Sequence, residues 1–379
     1  MVEELLLVPG PTAIHNRVKK ILSNNQISHS DTLFHESFIK LIEYTKYLFQ
    51  NNSGHQFILS GSGTLGMEAS VVNILEPTDS VLVLDTGYFG NRFSLLTNMI
   101  GCDTDVLKFK NGEHADPNIV ESALSKKHYK AICMTHVDTS TTVVNPIENL
   151  VSISKKFDVY SIVDSICGVG GIELNFDQLK ADVVFTGSQK AIAAPPGTVI
   201  IAVSDKVMNY ISSRNNIPAY YMNLISWKKI MDDPVNYFCT PAVQLFLSVL
   251  EAITLIKEEG LKKRWRRHSI LANAIRSGIE CLGLDFIAEQ NYRANTVTGF
   301  YIPNSLAPKI QSYLKNKGII VASGLGEFKG KALRIGHLGN ITSNDVKLFL
   351  RTLEEALQNF NYKIKSNALS KSMDILNQL

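Results

Sequence analysis

The amino-acid sequence predicts an α/β fold with a largely parallel sheet, followed by a smaller α+β domain. Short apolar or β-branched runs recur through the first two thirds of the 379 residues, as expected of buried strands. Between several of these runs lie amphipathic segments with apolar residues three and four apart. After about residue 241 the pattern changes to long helical stretches. Strands that alternate with helices indicate a parallel sheet.

The elements are predicted in chain order. Six runs are predicted as strands of the main sheet: residues 57–59, 81–84, 131–134, 159–163, 183–185 and 199–203. Amphipathic helices are predicted between strands, at 68–75 and 145–156, and two long helices follow, at 241–259 and 261–281. Strands near 296–302 and 332–336 and a helix near 345–357 suit a small α+β domain.

Gly260, between the two long helices, is the predicted domain boundary. Residues 1–259 then form the large domain and residues 260–379 the small one. The polar stretch from Lys363 onward is expected to be a loosely held tail.

Composition excludes several classes of function. Hydrophobic residues make up 45% of the chain and charged residues 19%, which is typical of an ordinary globular protein. The formal net charge of +3 supplies no strong field for a polyanion, so nucleic acid is not expected as a partner. One basic cluster stands out, and because apolar residues recur through it at helical spacing we interpret it as a solvated helix face: Lys262, Lys263, Arg264, Arg266 and Arg267.

Cysteine usage and hydropathy predict the compartment. The five cysteines include no CxxC pair, which favours reduced thiols in a cytosol-like compartment over a disulfide framework or a zinc site. The first residues show no basic stretch followed by a long apolar one, so no secretory signal is predicted. No apolar run reaches the ~18 residues that span a bilayer. We therefore expect a cytoplasmic protein with no membrane or metal partner.

A candidate phosphate turn follows the first predicted strand. Residues 60–64 read Ser-Gly-Ser-Gly-Thr and lead into a helix. Ligands of open α/β sheets bind at the carboxyl ends of strands, and the free N–H groups of a helix start, with two hydroxyls, suit an anion. The same letters are typical of a simple turn. They match neither a P-loop nor the complete GxGxxG fingerprint.

Asp164 and Lys190 follow two later strands. A carboxylate at the end of an apolar strand needs a cationic or hydrogen-bonding partner, although Asp164 can equally cap the following turn. Lys190 lies among small residues before Pro195-Pro196-Gly197. A lone lysine is usually at the surface, but a lysine in a tight pocket can form a Schiff base. Pyridoxal 5′-phosphate (PLP) requires such a lysine and a carboxylate for its ring nitrogen.

At these residues the chain resembles the class-V, fold-type I PLP aminotransferases, closest to the alanine–glyoxylate and serine–pyruvate group. The resemblance covers nearly the whole chain, and its most specific part is Gly187-Ser188-Gln189-Lys190-Ala191 with the prolyl turn. The other matching segments, in chain order, are residues 9–12, 27–30, 61–64, 87–92, 135–136, 163–165 and 333–336. The resemblance implies a large PLP-binding domain with a mostly parallel sheet, an N-terminal segment on the substrate side and a small C-terminal domain.

The resemblance also implies roles for individual residues. Lys190 forms the internal aldimine, Asp164 partners the pyridine nitrogen and Phe89 stacks on the cofactor, although a phenylalanine outside the motif is more often core. Further residues are implied to bind the cofactor from the same chain: Ser62, Gly63, Thr64, Thr139 and Gln189. Tyr237 and Thr240 are implied to close the phosphate site of the second subunit in a homodimer.

Two residues are implied to meet the substrate. Arg334 matches the arginine that binds the substrate carboxylate, since a guanidinium forks two N–H groups onto a carboxylate; by itself it is equally typical of a structural ion pair. Gly10 is implied to lie close to the substrate.

The segment around Thr139 departs from the family pattern. Val137 and Thr142 stand where glycines are common, and Thr64 replaces a residue that is often histidine. Three histidines near these motifs are expected to make structural hydrogen bonds rather than to act as bases: His29, His35 and His136.

The expected activity is transamination between serine or alanine and pyruvate or glyoxylate, in two half-reactions with ping-pong kinetics. Aminoethylphosphonate or phosphoserine transamination is an alternative within the family, although either donor should require extra basic residues in the pocket. A desulfurase or lyase is less favoured, because Gln189 stands where a histidine is typical and no cysteine follows Cys281. Two non-catalytic alternatives, a PLP-binding protein without turnover and a nucleotide-binding module, lack positive support.

Overall fold

The computed structural model describes residues 4–379, and within this range it contains two larger sheets and a two-stranded hairpin. The strands are β1 (Leu5–Leu7), β2 (His55–Ser60), β3 (Ser80–Asp85), β4 (Asp103–Lys108), β5 (Ala131–Thr135), β6 (Val137–Asp138), β7 (Val143–Val144), β8 (Tyr160–Asp164), β9 (Val183–Gly187), β10 (Thr198–Val203), β11 (Val297–Tyr301), β12 (Ile319–Ser323) and β13 (Ala332–Gly336).

The helices cover both faces of the main sheet and one side of the second. They are α1 (Asn16–Ser23), α2 (Thr32–Phe49), α3 (Gly63–Ile74), α4 (Tyr88–Ile100), α5 (Pro117–Leu124), α6 (Ile147–Lys156), α7 (Phe176–Leu179), α8 (Asp205–Ser213), α9 (Leu224–Asp232), α10 (Val243–Glu259), α11 (Leu261–Leu282), α12 (Ala307–Asn316), α13 (Ser343–Asn359) and α14 (Leu369–Leu376). None of these helices is both long and apolar enough to cross a membrane.

The main sheet has seven strands in the order β2-β10-β9-β8-β5-β3-β4. Only β10 is antiparallel to its neighbours; the remaining pairs are parallel. All six strands predicted from apolar runs lie in this sheet, so the predicted α/β fold is confirmed. The sequence pattern missed β4, because this edge strand is mostly polar, with only Val106 and Leu107 apolar, and none of its residues is fully buried. Register places Asp164 beside Thr135 and Phe185, which aligns the carboxyl ends of three strands.

The second sheet has the order β1-β12-β13-β11 and packs on α11, α12 and α13. Its first strand comes from the N-terminus: β1 pairs in parallel with β12, and Leu7 lies in the second hydrophobic cluster. The division into a large domain at 1–259 and a small domain at 260–379 stays a prediction. The structure adds that β1, from the N-terminal end of the chain, hydrogen-bonds to the sheet of the smaller unit.

The C-terminal stretch is a docked helix, so the expectation of a loosely held tail is wrong. Ala368, Ser372 and Leu376 recur every four residues and form one buried stripe, which packs α14 against α11. The Ser372 hydroxyl donates to the carbonyl of Ala274 over 2.8 Å. The stripe is short and contains a serine, which is why composition alone did not reveal it.

The basic cluster at the start of α11 is divided between solvent and core. Lys262, Lys263 and Arg266 are exposed, as a solvated face requires. Arg264 is only 3% exposed, and Arg267 is half-buried. The interpretation of the whole cluster as a solvated face is therefore wrong for Arg264, because its position on the helix turns it toward the loops that follow β8 and β9.

Candidate active site

One cavity of about 220 Å³ lies at the carboxyl edge of the main sheet. Eight of the twelve residues predicted for the site line it: Ser62, Gly63, Thr64, Phe89, Thr139, Asp164, Gln189 and Lys190. The remaining lining residues, which sequence reasoning assigned no role in the site, are Arg92, Val137, Ile166 and Cys167. The strand ends thus bring together segments more than a hundred residues apart in the chain.

Lys190 lies three residues beyond the end of β9 and extends beneath the N-terminal loop. Its Nζ donates to the carbonyl of Pro9 over 2.5 Å. Gly10 has φ 123°, which favours glycine, and a Cβ there would be 2.5 Å from Lys190 Cδ, so a side chain at this position would displace the lysine. The Thr12 hydroxyl donates to the Lys190 carbonyl over 3.1 Å. Burial lowers the pKa of the Lys190 amine from its ordinary value, which favours a neutral, nucleophilic form.

Asp164 ends β8 inside the cavity. It is 4% exposed, and its Oδ1 accepts the Ile166 N–H over 2.9 Å. Burial raises the pKa of this carboxyl to about 7, against the opposing effects of the Ile166 N–H and of the charges on Lys190 and Arg92. Within residues 4–379 neither Asp164 nor Lys190 forms an ion pair. The cavity therefore holds a basic and an acidic group that form no ion pair with each other.

The start of α3 forms another wall. Ser62 is its N-cap, but the Ser62 hydroxyl makes no capping hydrogen bond, so the hydroxyl is free for a ligand. The first N–H groups of a helix have no intrahelical acceptor, and here they adjoin the cavity at Gly63 and Thr64. The Oε1 atom of Gln189 is buried without a hydrogen-bond partner. Such a group is costly unless a ligand or water completes it.

Arg92 lines the cavity, although the sequence motif at residues 87–92 predicted no role for it. Its Nη1 donates to Thr64 Oγ1 over 3.0 Å, and its guanidinium lies 4.9 Å from the centre of the Phe89 ring. Arg92 follows Phe89 by three residues on α4, and residues three apart share a helix face. This spacing was the signal that could have identified it.

Asp138, which sequence reasoning also missed, anchors the beginning of α4. This fully buried carboxylate accepts the backbone N–H groups of Phe89 over 2.9 Å and Gly90 over 3.1 Å. It also accepts the Ser140 N–H and hydroxyl in its own hairpin. The bonds attach the aromatic wall of the cavity to the loop that bears Thr139, which makes Asp138 structural.

Arg334 lies at the edge of the site rather than among the lining residues. It is 7% exposed; its Nη1 donates to the carbonyl of Thr139 over 2.7 Å and its Nε to that of Ser323 over 2.9 Å. The third nitrogen, Nη2, makes no hydrogen bond within the described part of the chain. The guanidinium is thus held from β13 against a cavity residue, with one nitrogen still available.

The predicted partner-subunit residues lie apart from the cavity of their own chain. Thr240 is exposed. Tyr237 packs among aromatic rings that include Phe34 and Phe38, and its hydroxyl is buried without a partner. The single chain therefore brings neither residue to its own cavity.

His136 is buried beside the cavity without lining it. Its Nδ1 pairs with the Ser165 hydroxyl over 2.9 Å, and burial lowers its pKa to about 4. A neutral, hydrogen-bonded imidazole suits the structural role expected from the sequence.

Comparison with known proteins places this fold and site in context. The family model described as aminotransferase class-V matches residues 13–347. An uncharacterized aminotransferase of Methanocaldococcus jannaschii is 32% identical over 99% of this chain and 98% of its own length. Alanine–glyoxylate aminotransferase 1 of Saccharomyces cerevisiae is also 32% identical, over 90% of this chain and 93% of that protein. The crystal structure of ureidoglycine–glyoxylate aminotransferase from Bacillus subtilis superposes with a TM-score of 0.95 at 27% identity, covering 99% of this chain and 98% of that one.

Proposed function

The chain belongs to the class-V aminotransferases, and from that premise we propose that it holds PLP in the cavity and transfers an amino group between a small amino acid and a 2-oxo acid. One observation carries the proposal: the half-buried amine of Lys190 and the buried carboxyl of Asp164 face one cavity without an ion pair between them. A carbonyl-bearing pyridine takes a lysine at its carbonyl and a carboxylate at its ring nitrogen.

The residues present fit this cofactor. The Ser62 hydroxyl and the N–H groups at the start of α3 provide donors for a phosphate. The buried amide of Gln189 has an unpaired oxygen, and a half-turn of the amide would present its two N–H donors instead. Asp164, with a pKa near 7 caused by burial, can share a proton with a ring nitrogen. Phe89 supplies an aromatic wall, and Arg92 holds it beside Thr64.

Lys190 is the proposed acid–base residue. When bound, PLP supplies an electron sink for the electron pair of the broken Cα–H bond. Burial lowers the pKa of the amine, which favours the neutral form of Nζ that can accept the Cα proton. Nζ then returns the proton as an acid. The carbonyl of Pro9, 2.5 Å away, orients the amine from the side of the N-terminal loop.

Arg334 is the proposed carboxylate-binding residue. Its two hydrogen bonds to backbone carbonyls fix the guanidinium plane, and Nη2 is left to bind a substrate carboxylate. Gly10 leaves space beside the Lys190 side chain, because a side chain at position 10 would collide with it. The narrow cavity limits water around the amine, which strengthens charge interactions within it.

The substrates are proposed from the size of the site and the named relatives. A cavity of about 220 Å³ is small, and a cofactor in it would leave little volume beside it, which favours small substrates. The names of the yeast and Bacillus relatives share glyoxylate. We therefore propose glyoxylate or pyruvate as acceptor and alanine or serine as donor, with ping-pong kinetics.

Arg92, the additional basic residue in the cavity, is relevant to whether the site could bind phosphorylated or phosphonate amino donors. Such donors should require additional positive charge, and Arg92 provides one. Its hydrogen bond to Thr64, however, places it beside the proposed phosphate donors of α3. We therefore assign Arg92 to the cofactor side and keep aminoethylphosphonate and phosphoserine as arms of the test.

A homodimer and a cytoplasmic location remain proposals. The buried, unpaired hydroxyl of Tyr237 and the exposure of Thr240 suit a segment that is completed by a second subunit. The five cysteines are all free thiols, which suits a reducing compartment.

The test uses purified protein reconstituted with PLP. We expect visible absorbance from the lysine-bound cofactor, loss of that band in Lys190→Ala, and parallel double-reciprocal plots when the donor is varied at several acceptor concentrations. Alanine, serine, phosphoserine and aminoethylphosphonate are each paired with glyoxylate and pyruvate. A colourless protein, or a Lys190→Ala variant with unchanged colour and activity, would overturn the proposal; preference for a phosphorylated donor would overturn the substrate assignment.

A further inference from the structure

Arg264 connects the lysine loop to the junction between α10 and α11. In the first turn of α11, its Nη2 donates to the carbonyl of Ala191 over 2.5 Å, directly beside Lys190. Its Nε donates to the carbonyl of Gly170 over 3.0 Å, in the loop after β8. Its Nη1 pairs with Glu259 Oε2 over 2.7 Å. Each guanidinium nitrogen thus has a partner, and two of the partners belong to loops that follow site-bearing strands.

Glu259 passes the connection on to Arg267. The Glu259 carboxylate pairs through Oε1 with Arg267 Nε over 2.7 Å. Arg267 in turn donates to the carbonyls of Gly339 and Ile341, each over 3.0 Å. These two carbonyls lie in the loop after β13, the strand that bears Arg334.

Gly339 is where this loop meets the lysine loop. It has φ 79°, and a Cβ added to it would lie 3.1 Å from Ala193 Cβ, so the backbones approach closely. His268 Nε2 accepts the Gly339 N–H over 3.0 Å, while Arg267 binds its carbonyl. The peptide at Gly339 is therefore held from both sides by α11.

We infer that Arg264, Glu259 and Arg267 form a positioning strut that sets the distance between Lys190 and Arg334. One end of the strut holds the main chain beside Lys190, and the other holds the loop after β13. The substrate carboxylate and amino group must reach Arg334 and Lys190 together, so the spacing of the two loops determines whether the bound substrate presents its Cα–H to Nζ. The inference rests on the proposed function for its kinetic consequences, but the connection between the loops is independent of that function.

The charges of the strut favour a rigid link. Burial lowers the pKa of Arg264 to about 10, which leaves it charged at neutral pH. Burial acts to raise the pKa of Glu259, but the hydrogen bonds and charges of both arginines lower it. A buried charge without its partner strongly destabilises the fold. Breaking the contacts at either end of the strut therefore costs free energy.

The test compares the strut with a matched arginine on the same helix. Arg276 is half-buried, and it donates to the carbonyls of Arg293 and Ala294 and to asparagine side chains, away from the lysine loop. In the PLP-loaded protein we expect Arg264→Lys and Glu259→Gln each to lower kcat/KM by about 10- to 100-fold, because small misplacements of reacting groups are costly. We expect Arg276→Lys to stay within about threefold of the wild type.

Two further readouts separate positioning from simple loss of stability. The pH midpoint of the visible absorbance band should move by about half a unit or more in the strut variants and stay fixed in Arg276→Lys. Hydrogen exchange in the cofactor-free protein should quicken in residues 190–194 and 337–341 of Glu259→Gln. Arg267→Lys, a milder change, replaces Glu259→Gln if that variant does not fold.

Equal kcat/KM, absorbance midpoint and loop exchange in strut and Arg276 variants that lose comparable thermal stability would overturn the inference. If the wild type lacks transaminase activity, the proposed function fails. Hydrogen exchange in residues 190–194 and 337–341 then still tests whether the strut exists. Faster exchange in Glu259→Gln alone supports the strut, and the same exchange in Glu259→Gln and Arg276→Lys overturns it.

Discussion

The cavity and the α10–α11 junction use buried charge in opposite ways. In the cavity, the Lys190 amine donates to one carbonyl, Asp164 accepts one N–H group and Gln189 Oε1 has no partner. At the junction, all three nitrogens of Arg264 are bonded, and both oxygens of Glu259 accept hydrogen bonds from arginines.

The difference teaches how to separate a reactive site from a structural one. Burying a polar group without its full set of partners costs free energy, so such groups persist where a ligand completes them or where chemistry requires them. A saturated network stabilises the fold and leaves nothing to bind a ligand. Removing a cavity group should therefore reduce activity without reducing stability, whereas removing a junction group should reduce both.

The largest effect is expected at Lys190. Lys190→Met removes the amine and keeps an apolar stem, so transamination should fall by about 1,000-fold or more, since one positioned acid–base group contributes 10²–10⁴-fold. The free energy of unfolding of the cofactor-free protein should stay level or rise, because a largely enclosed amine with a single hydrogen-bond acceptor is gone. Denaturant melts and steady-state assays measure both. A clear loss of stability without loss of activity would break the contrast between cavity and junction.

A smaller effect on activity is expected for Asp164→Asn, which keeps the shape and the acceptor for the Ile166 N–H. Loss of the carboxylate that we propose faces the PLP ring nitrogen should lower kcat by about 100-fold, the scale of a preorganised electrostatic contact. The matched change Asp138→Asn instead disturbs a carboxylate that is saturated by four donors. It should lower thermal stability more than Asp164→Asn does; the opposite order would contradict the distinction.

The stability of Asp164→Asn relative to the wild type should depend on pH, in a direction that the raised pKa of Asp164 fixes. In the folded, cofactor-free protein burial raises the pKa of Asp164 from 3.8 to about 7, so between these values the folded state keeps a proton that the unfolded state has lost. The contribution of Asp164 to stability is full below about pH 4 and is lost as the pH rises toward 7. Relative to the wild type, Asp164→Asn should become more stable over that range, by about 4 kcal/mol at most. A constant difference from pH 4 to 7 would exclude the raised pKa.

The strands and the centre of the cavity could be predicted from the sequence because their signals are local. Apolar runs mark the buried strands, and a polar residue directly after such a run lies at the carboxyl edge, as Asp164 does. The roles of Thr139 and Phe89 could not be read from local pattern and came from family resemblance. Their cavity positions depend on Asp138, whose contacts join segments 48 and 49 residues apart.

The elements that escaped prediction lack a local signal. Four of the six residues of the edge strand β4 are polar, and the stripe that docks α14 consists of three small or isolated residues. Arg264 sits among exposed basic residues of the same type, so only its angular position on α11 distinguishes it. Its partners lie 73 and 94 residues away, and no local pattern reveals which arginine of a cluster turns inward.

The smallest expected effect concerns two threonines that differ in what surrounds their hydroxyls. Thr64 Oγ1 lies at the cavity and accepts from Arg92, so its own proton is free to bind an anion. Thr198 Oγ1, at the start of β10, is buried without a partner. Thr64→Val should weaken PLP binding by about tenfold, the scale of one hydrogen bond to a charged group, and Thr64→Ser should restore it.

Thr198→Val is the matched control for that change, because it removes an equally small hydroxyl from the sheet beneath the cavity. It should leave PLP affinity unchanged and, by removing an unsatisfied buried group, raise stability slightly. Fluorescence titration of the cofactor-free variants with PLP measures the affinities. Equal weakening by both valine substitutions would mean that the sheet, rather than the hydroxyl at Thr64, governs the phosphate side. If instead Thr198→Val leaves the affinity unchanged, an unsatisfied buried polar group marks a ligand site only where it faces open volume, as Gln189 does and Thr198 does not.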